Sequence, residues 1–100
     1  MRLKQGDLAP LLRIDTNADL TGTTSRLAKI RRIGTTTTMS KTLTTVGAAT
    51  DGIAEYQWVA PDTDVAGTYQ IEALITFADA RVQRFPQHGY MELIIDPKVG

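Results

Sequence analysis

Thr68-Tyr69-Gln70-Ile71-Glu72-Ala73-Leu74-Ile75-Thr76-Phe77 decides the fold class. Tyr69, Ile71, Ala73, Ile75 and Phe77 alternate with Thr68, Gln70, Glu72, Leu74 and Thr76. That period of two belongs to a strand with one face on a core and the other largely wet. Ala78-Asp79-Ala80 follows as a tight hairpin signal, and Arg81-Val82-Gln83-Arg84-Phe85 alternates again, so the two segments are expected to pair antiparallel with Val82 as the clearest inward candidate. Pro86-Gln87-His88-Gly89 interrupts the return strand, because Pro removes a ladder donor and Gly tolerates unusual dihedrals. Tyr90 to Ile95 resumes it, and Pro97 ends it.

Working back from Tyr69, the string Asp64-Val65-Ala66-Gly67 is a turn running into a strand whose second residue is Tyr. This is the spacing of a tyrosine corner, in which the phenol bonds back to the preceding backbone, with Ile71 where immunoglobulins place a cysteine. Trp58 lies on the strand before the corner, not where the antibody tryptophan sits. Ile53 to Val59 starts after the turn pair Asp51-Gly52 and puts Ala54, Tyr56 and Trp58 on one face, Glu55 and Gln57 on the other. Trp58 is the largest single core anchor. Thr35 to Ser40 and Thr42 to Val46 read as a strand pair or one bent strand, polar on both faces, which suits a sheet edge. Ser25 to Arg32 alternates imperfectly, since Leu27 and the pair Ala28/Ile30 point to opposite faces; a bulge or an edge position would account for that. Pro10 demotes Leu8 to Ile14 to an edge or first strand. Fifteen threonines, eight glycines and four prolines punctuate these runs, and nothing sustains a helical period. The expectation is an all-β, antiparallel, immunoglobulin-like sandwich of seven or eight short strands, one domain over residues 1–100.

Composition narrows the function classes. One hundred residues make a single core and offer no deep cleft between lobes. The absence of Cys removes thiol nucleophiles, disulfides and thiolate metal cages. The longest apolar runs, Leu11-Leu12 and Met91 to Ile95 broken by Glu92, fall far short of the ~20 residues of a membrane helix. No apolar stretch follows Met1 to Asp7, so no secretion signal is expected and the chain is expected to be soluble. Net charge is zero, which removes the long-range attraction of a nucleic-acid or anionic-membrane binder. Residues 1–50 nevertheless hold eight Lys/Arg against three Asp, and residues 51–100 three against eight Asp/Glu. Either the halves interleave, or the subunit is dipolar and meets a neighbour's opposite face.

Taken in order, Gly6-Asp7, Asp19-Leu20-Thr21-Gly22-Thr23-Thr24, Thr50-Asp51-Gly52-Ile53-Ala54-Glu55-Tyr56-Gln57-Trp58, Ala66-Gly67-Thr68-Tyr69, Thr76-Phe77-Ala78-Asp79 and Phe85-Pro86 with Gly89-Tyr90 run through nearly the whole chain. This succession resembles the immunoglobulin-like domain at the start of phage upper baseplate proteins. The hairpin tip carries Ala80 where such domains commonly place Gly, which implies a different turn type, and Ser25 to Arg32 is more basic than the pattern. The resemblance implies a non-enzymatic structural virion component made in the host cytoplasm, in the tail, baseplate or a related head-tail or decorating position. Its implied partners are copies of itself and other phage structural proteins in a symmetric assembly, with no nucleic acid, membrane or cofactor.

The residues offer little material for chemistry. Ser25, Ser40 and the lone His88 show no triad spacing, and His88 in its Pro-Gly kink reads as a loop residue. An oxygen-ligand calcium site from Asp62 and Asp64, with Asp51 or Asp79, competes with the ordinary role of Asp in turns; no metal or catalytic residue is assigned. Glu55, Glu72 and Glu92 lack the concavity a glycosidase needs. Arg26, Lys29, Arg31 and Arg32 are the densest basic cluster, without aromatic interleaving. With Thr36, Thr38, Thr42 and Thr44 of the threonine tract, Arg26, Lys29 and Arg31 form the expected interface, and both termini are expected to join it. Tyr56, Trp58, Tyr69, Ile71, Ile75 and Phe77 are the expected rigid core. The competing function is a carbohydrate- or receptor-binding module using the end loops Asp62 to Gly67 and Pro86 to Tyr90, and glycan binding gains if Trp58 and Tyr90 lie side by side in solvent.

Overall fold

A computed structural model describes residues 1–86 and 89–99; His88 and its expected role lie outside them. The described residues form nine strands: β1 (Arg2–Lys4), β2 (Leu12–Asp15), β3 (Ser25–Arg32), β4 (Thr38–Thr42), β5 (Thr44–Thr45), β6 (Ile53–Tyr56), β7 (Gly67–Thr76), β8 (Val82–Phe85) and β9 (Met91–Asp96). A 3-10 turn spans Ala49–Asp51. The larger sheet has the order β1-β9-β7-β3-β4, with β8 also on β7; the smaller is β2-β6-β5. All pairs are antiparallel except β1 on β9. This is an immunoglobulin-like sandwich, the fold class expected from the alternation. The strand number exceeds seven or eight because β1 adds a strand ahead of the expected first one and two segments each supply two strands.

One of those segments is the return arm of the hairpin. β8 pairs with Ala73–Thr76, and β9 pairs with Gly67–Ile71 on the same edge of β7, so the return strand is interrupted and then resumes. The inward residue of β8 is Phe85, while Val82 is 57% exposed, which corrects the expected phase. The register explains it: Val82 is opposite Thr76, which lies on the outer face, and Phe85 is opposite Ala73, which is buried.

The other is the threonine-rich segment. β4 belongs to the larger sheet and β5 to the smaller, and Leu43 between them is fully buried with its N–H on the Arg26 carbonyl at 2.8 Å. The chain therefore changes sheets at one apolar residue. Met39 also packs against the core, so this segment is not polar on both faces as expected.

β3 has neither a bulge nor an edge position. Its register runs unbroken from Ser25 opposite Thr76 to Arg32 opposite Tyr69, with β4 on its other side. Ala28 and Ile30 enter the core, and Leu27 faces outward beside Leu74, an outer-face apolar pair that blurred the alternation. The N-terminal segment, whose part in an assembly was an expectation, forms β1 at the edge of the larger sheet: Leu3 is buried and Met1 N donates to the Glu92 carbonyl at 3.1 Å.

Between the sheets, Tyr69, Ile71, Ala73, Ile75, Leu93 and Ile95 face Leu12, Ile14, Ala54 and Trp58. Trp58 is 1% exposed and its indole N–H donates to the Pro10 carbonyl at 3.0 Å, satisfying the only polar atom it buries. Of the expected core, Trp58, Tyr69, Ile71 and Ile75 are buried, whereas Tyr56 and Phe77 are half-buried at its margin. The tyrosine corner is present, with the Tyr69 hydroxyl donating to the Val65 carbonyl at 2.6 Å. Gly52 follows the 3-10 turn at φ 74°, and a Cβ there would press into the Ala18 backbone, 2.9 Å from its nitrogen.

The β7–β8 hairpin also departs from expectation. Phe77 N–H reaches the Arg81 carbonyl at 2.8 Å and Ala80 N–H the Phe77 carbonyl at 2.9 Å, with Ala80 at φ 68°. The turn is thus the Gly-preferring kind, occupied by Ala, and not a different turn type. Replacing Ala80→Gly should raise stability by about 0.5–1 kcal/mol, because the left-handed cost of a Cβ disappears. Tyr69→Phe should cost about 1 kcal/mol or more in the same urea titration, since the corner hydrogen bond is lost. An unchanged midpoint would argue against the corner as a stabilising element.

Candidate functional site

The outer face of the larger sheet gathers the polar side chains that β3, β4 and β7 project away from the core. β3 places Lys29 and Arg31 there; their cross-strand neighbours are Ser40 and Thr38 on β4, Glu72 and Gln70 on β7. Each cation is held across the strands: Lys29 Nζ donates to Ser40 Oγ at 2.7 Å and Arg31 to Gln70 Oε1 at 2.9 Å. Arg84 on β8 pairs with Glu72 at 3.3 Å. Lys29, Arg31, Thr38, Gln70, Glu72, Arg84 and Tyr90 border a shallow depression of about 440 Å³, open to solvent. Tyr90 is 47% exposed at its rim. Such a face can make many weak, oriented polar contacts with another surface, but it does not enclose a small molecule.

This geometry divides the expected interface residues. Lys29, Arg31, Thr38 and Thr42 share the outer face, with Thr42 opposite Leu27. Thr36 is exposed in the turn between β3 and β4. Thr44 is on the smaller sheet, opposite Glu55, because the chain has already crossed at Leu43. Arg26 does not share that face. Its position on the inward side of β3 turns it toward the sandwich end, where Nη1 donates to Thr23 Oγ1 at 2.7 Å and Nε is buried without a partner.

Sequence reasoning missed a second polar group, which ties the sheets together at one edge. Lys41 points inward from β4, and its Nζ lies 2.8 Å from Asp62 Oδ1. Asp62 Oδ2 accepts from the Tyr56 hydroxyl at 2.5 Å and from Val59 N–H at 3.0 Å. The ion pair with Asp62 raises the Lys41 pKa. Burial pushes the Asp62 carboxyl up, but the hydrogen bonds from Lys41, Tyr56 and Val59 more than offset it, so its pKa falls below 3.8. Burial, aided by the bond to Asp62, raises the Tyr56 phenol. A lysine in a threonine tract and an aspartate in a loop gave no pattern that would have paired them.

Both Asp62 oxygens are thereby engaged, and the competing calcium set is not assembled. Asp62 and Asp64 precede the start of β7, whereas Asp79 lies in the hairpin beyond its other end, roughly 30 Å away along a ten-residue strand. Asp79 there bonds Arg81, at 2.6 Å. Asp51 belongs to the turn before β6 and Asp62 follows that strand. Among the described residues no three acidic or His groups converge. Nor do Trp58 and Tyr90 form a solvent-exposed pair, since Trp58 is interior.

The charge asymmetry of the sequence resolves mostly within the molecule. Of five ion pairs among the described residues, Arg2–Asp96, Arg13–Glu55 and Lys41–Asp62 join a first-half cation to a second-half anion. The halves interleave through β1–β9, β2–β6 and β3–β7, so charge is mixed on the surface. No family model, curated protein or solved structure matches the chain.

Asp62→Ala should destabilise the fold by about 3 kcal/mol near neutral pH, because it strands Lys41 and the Tyr56 hydroxyl in a mostly buried site. The sign with pH follows from the depressed carboxyl: its contribution is whole above ~4 and is lost as pH falls through the lower folded value. Wild-type and variant stabilities, measured by denaturant titration from neutral to about pH 2, should therefore converge on the acid side.

Proposed function

We propose that the chain is a structural subunit of a phage particle, in the tail, baseplate or a related head-tail or decorating position, working through contacts with copies of itself and other virion proteins and catalysing nothing. The observation that carries this reading is the exposed β4 edge beside the polar outer face. The Leu43 N–H bond to Arg26 fixes the ladder phase, so Met39 and Lys41 direct their backbone groups to β3, and Thr38, Ser40 and Thr42 direct theirs away from the sheet. An unpaired edge with short hydroxyl side chains suits strand addition by a neighbour, and the adjoining Lys29, Arg31, Glu72 and Arg84 supply orientation. The ordered succession of turn and aromatic motifs through the chain, which resembles phage upper baseplate domains, supports the same reading. A glycan-binding module is less favoured, because the exposed Trp58 and Tyr90 pair that would support it is absent, Trp58 being interior.

The test is incorporation. Particles produced with wild-type protein should carry it at fixed stoichiometry. Lys29→Glu combined with Arg31→Glu, both on the outer face, should lower its content in purified particles by roughly tenfold while its circular dichroism is unchanged. Wild-type protein absent from purified particles would overturn the proposal.

A further inference from the structure

β2 is the edge strand of the smaller sheet, and its sequence is complementary to itself. Thr16 N–H bonds the Gly52 carbonyl at 2.8 Å, continuing the β2–β6 register in which Leu12 is opposite Tyr56 and Ile14 opposite Ala54. Leu12 and Ile14 therefore occupy the hydrogen-bonded positions toward β6, while the N–H and C=O groups of Arg13 and Asp15 point away from it. Among the described residues no strand covers that side. Beside it runs an open groove of about 630 Å³ whose lining includes Ile14, Thr16, Ala18, Phe85, Pro86 and Met91, between the rims of the two sheets.

We infer that this edge pairs with the same edge of a second copy, across a two-fold axis at Ile14. In that antiparallel register Arg13 stands opposite Asp15 of the second copy and Asp15 opposite its Arg13, so the outward backbone groups pair and the side chains form two reciprocal ion pairs. Both residues are on the solvent face, and Arg13 already leans on Glu55 at 3.4 Å. In the dimer Arg13 lies between two carboxylates. Ile14 meets Ile14 on the inner side and narrows both grooves. Among the described residues the other long edge does not share this property: the same operation on β4, centred on Ser40, sets Met39 against Lys41, and Lys41 is held inside by Asp62. The edge differs from the β4 edge and outer face invoked above, and the inference stands or falls independently of the phage reading.

The experiment is sedimentation equilibrium on the full chain from about 10 μM to about 1 mM, with circular dichroism as a folding control. Wild type should dimerise reversibly, and more weakly at high salt. Arg13→Asp and Asp15→Arg each place like charges opposite each other twice, and each should weaken self-association by at least about tenfold. Because each single variant carries the charge the other lacks, an equimolar mixture of the two should regain association to within about threefold of wild type. A wild type that stays monomeric throughout, single variants that dimerise as wild type does, or a mixture no better than its components would each overturn the inference.

Discussion

The register of the larger sheet is set by one strand. β3 pairs along β7, β4 takes its register from β3, β8 and β9 divide the opposite edge of β7, and β1 is aligned by β9. A slip of one residue in β7 would turn Tyr69, Ile71, Ala73 and Ile75 to water and carry Gln70 and Glu72 into the core. The corner bond from Tyr69 to Val65 pins the entry of that strand, and the hairpin at Phe77–Arg81 pins its exit. A strand fixed at both ends and paired on both edges leaves little freedom for the rest of the sheet. The Lys29, Arg31, Gln70 and Glu72 rows of the outer face are consequences of this alignment.

What was legible in the sequence follows from the same physics. β7 announced itself because its two faces differ sharply in polarity, and Trp58 because so large a side chain has nowhere else to go. Leu43 was illegible: a lone leucine among threonines carries no period, and its role comes from where two sheets diverge. β1 was missed for a related reason, since three residues paired in parallel with a strand about ninety positions away leave no local mark. In β8 the alternation was read correctly but its phase was not, because Val82 and Phe85 are both apolar and only the turn length decides which faces inward. The threonine and basic residues of the expected interface were recognised as surface-forming, yet the sheet crossing put Thr44 on the opposite layer and the alternation of β3 put Arg26 inside. Four of that set, Lys29, Arg31, Thr38 and Thr42, do share one face.

The Lys41–Asp62–Tyr56 group shows how the smaller and larger sheets are held in one relative position. Aliphatic packing tolerates sliding, whereas an ion pair with both carboxylate oxygens engaged admits one arrangement. Such a pair adds little net stability over apolar residues of equal size, and its value here is positional. It holds β4, whose outer edge is otherwise bare, against the body of the sandwich. Lys41 is thus spent inside the molecule and cannot serve as an edge charge on β4.

With Lys41 held inside, the exposed edges differ in what they can pair with. An immunoglobulin-like sandwich keeps edges that a closed barrel would not have, and short length or charge usually guards them. β5 has two residues and β1 three, too few to template much pairing. β4 and β2 are longer, and they differ in chemistry. The β4 edge is uncharged at its outward positions, so it discriminates weakly by itself and needs the neighbouring face to select a partner. The β2 edge carries opposite charges two residues apart, which penalises most incoming strands and favours its own antiparallel image. A two-fold contact at β2 closes on itself and leaves β4 and the outer sheet face open, so a dimer made there still offers two identical surfaces for unlike neighbours.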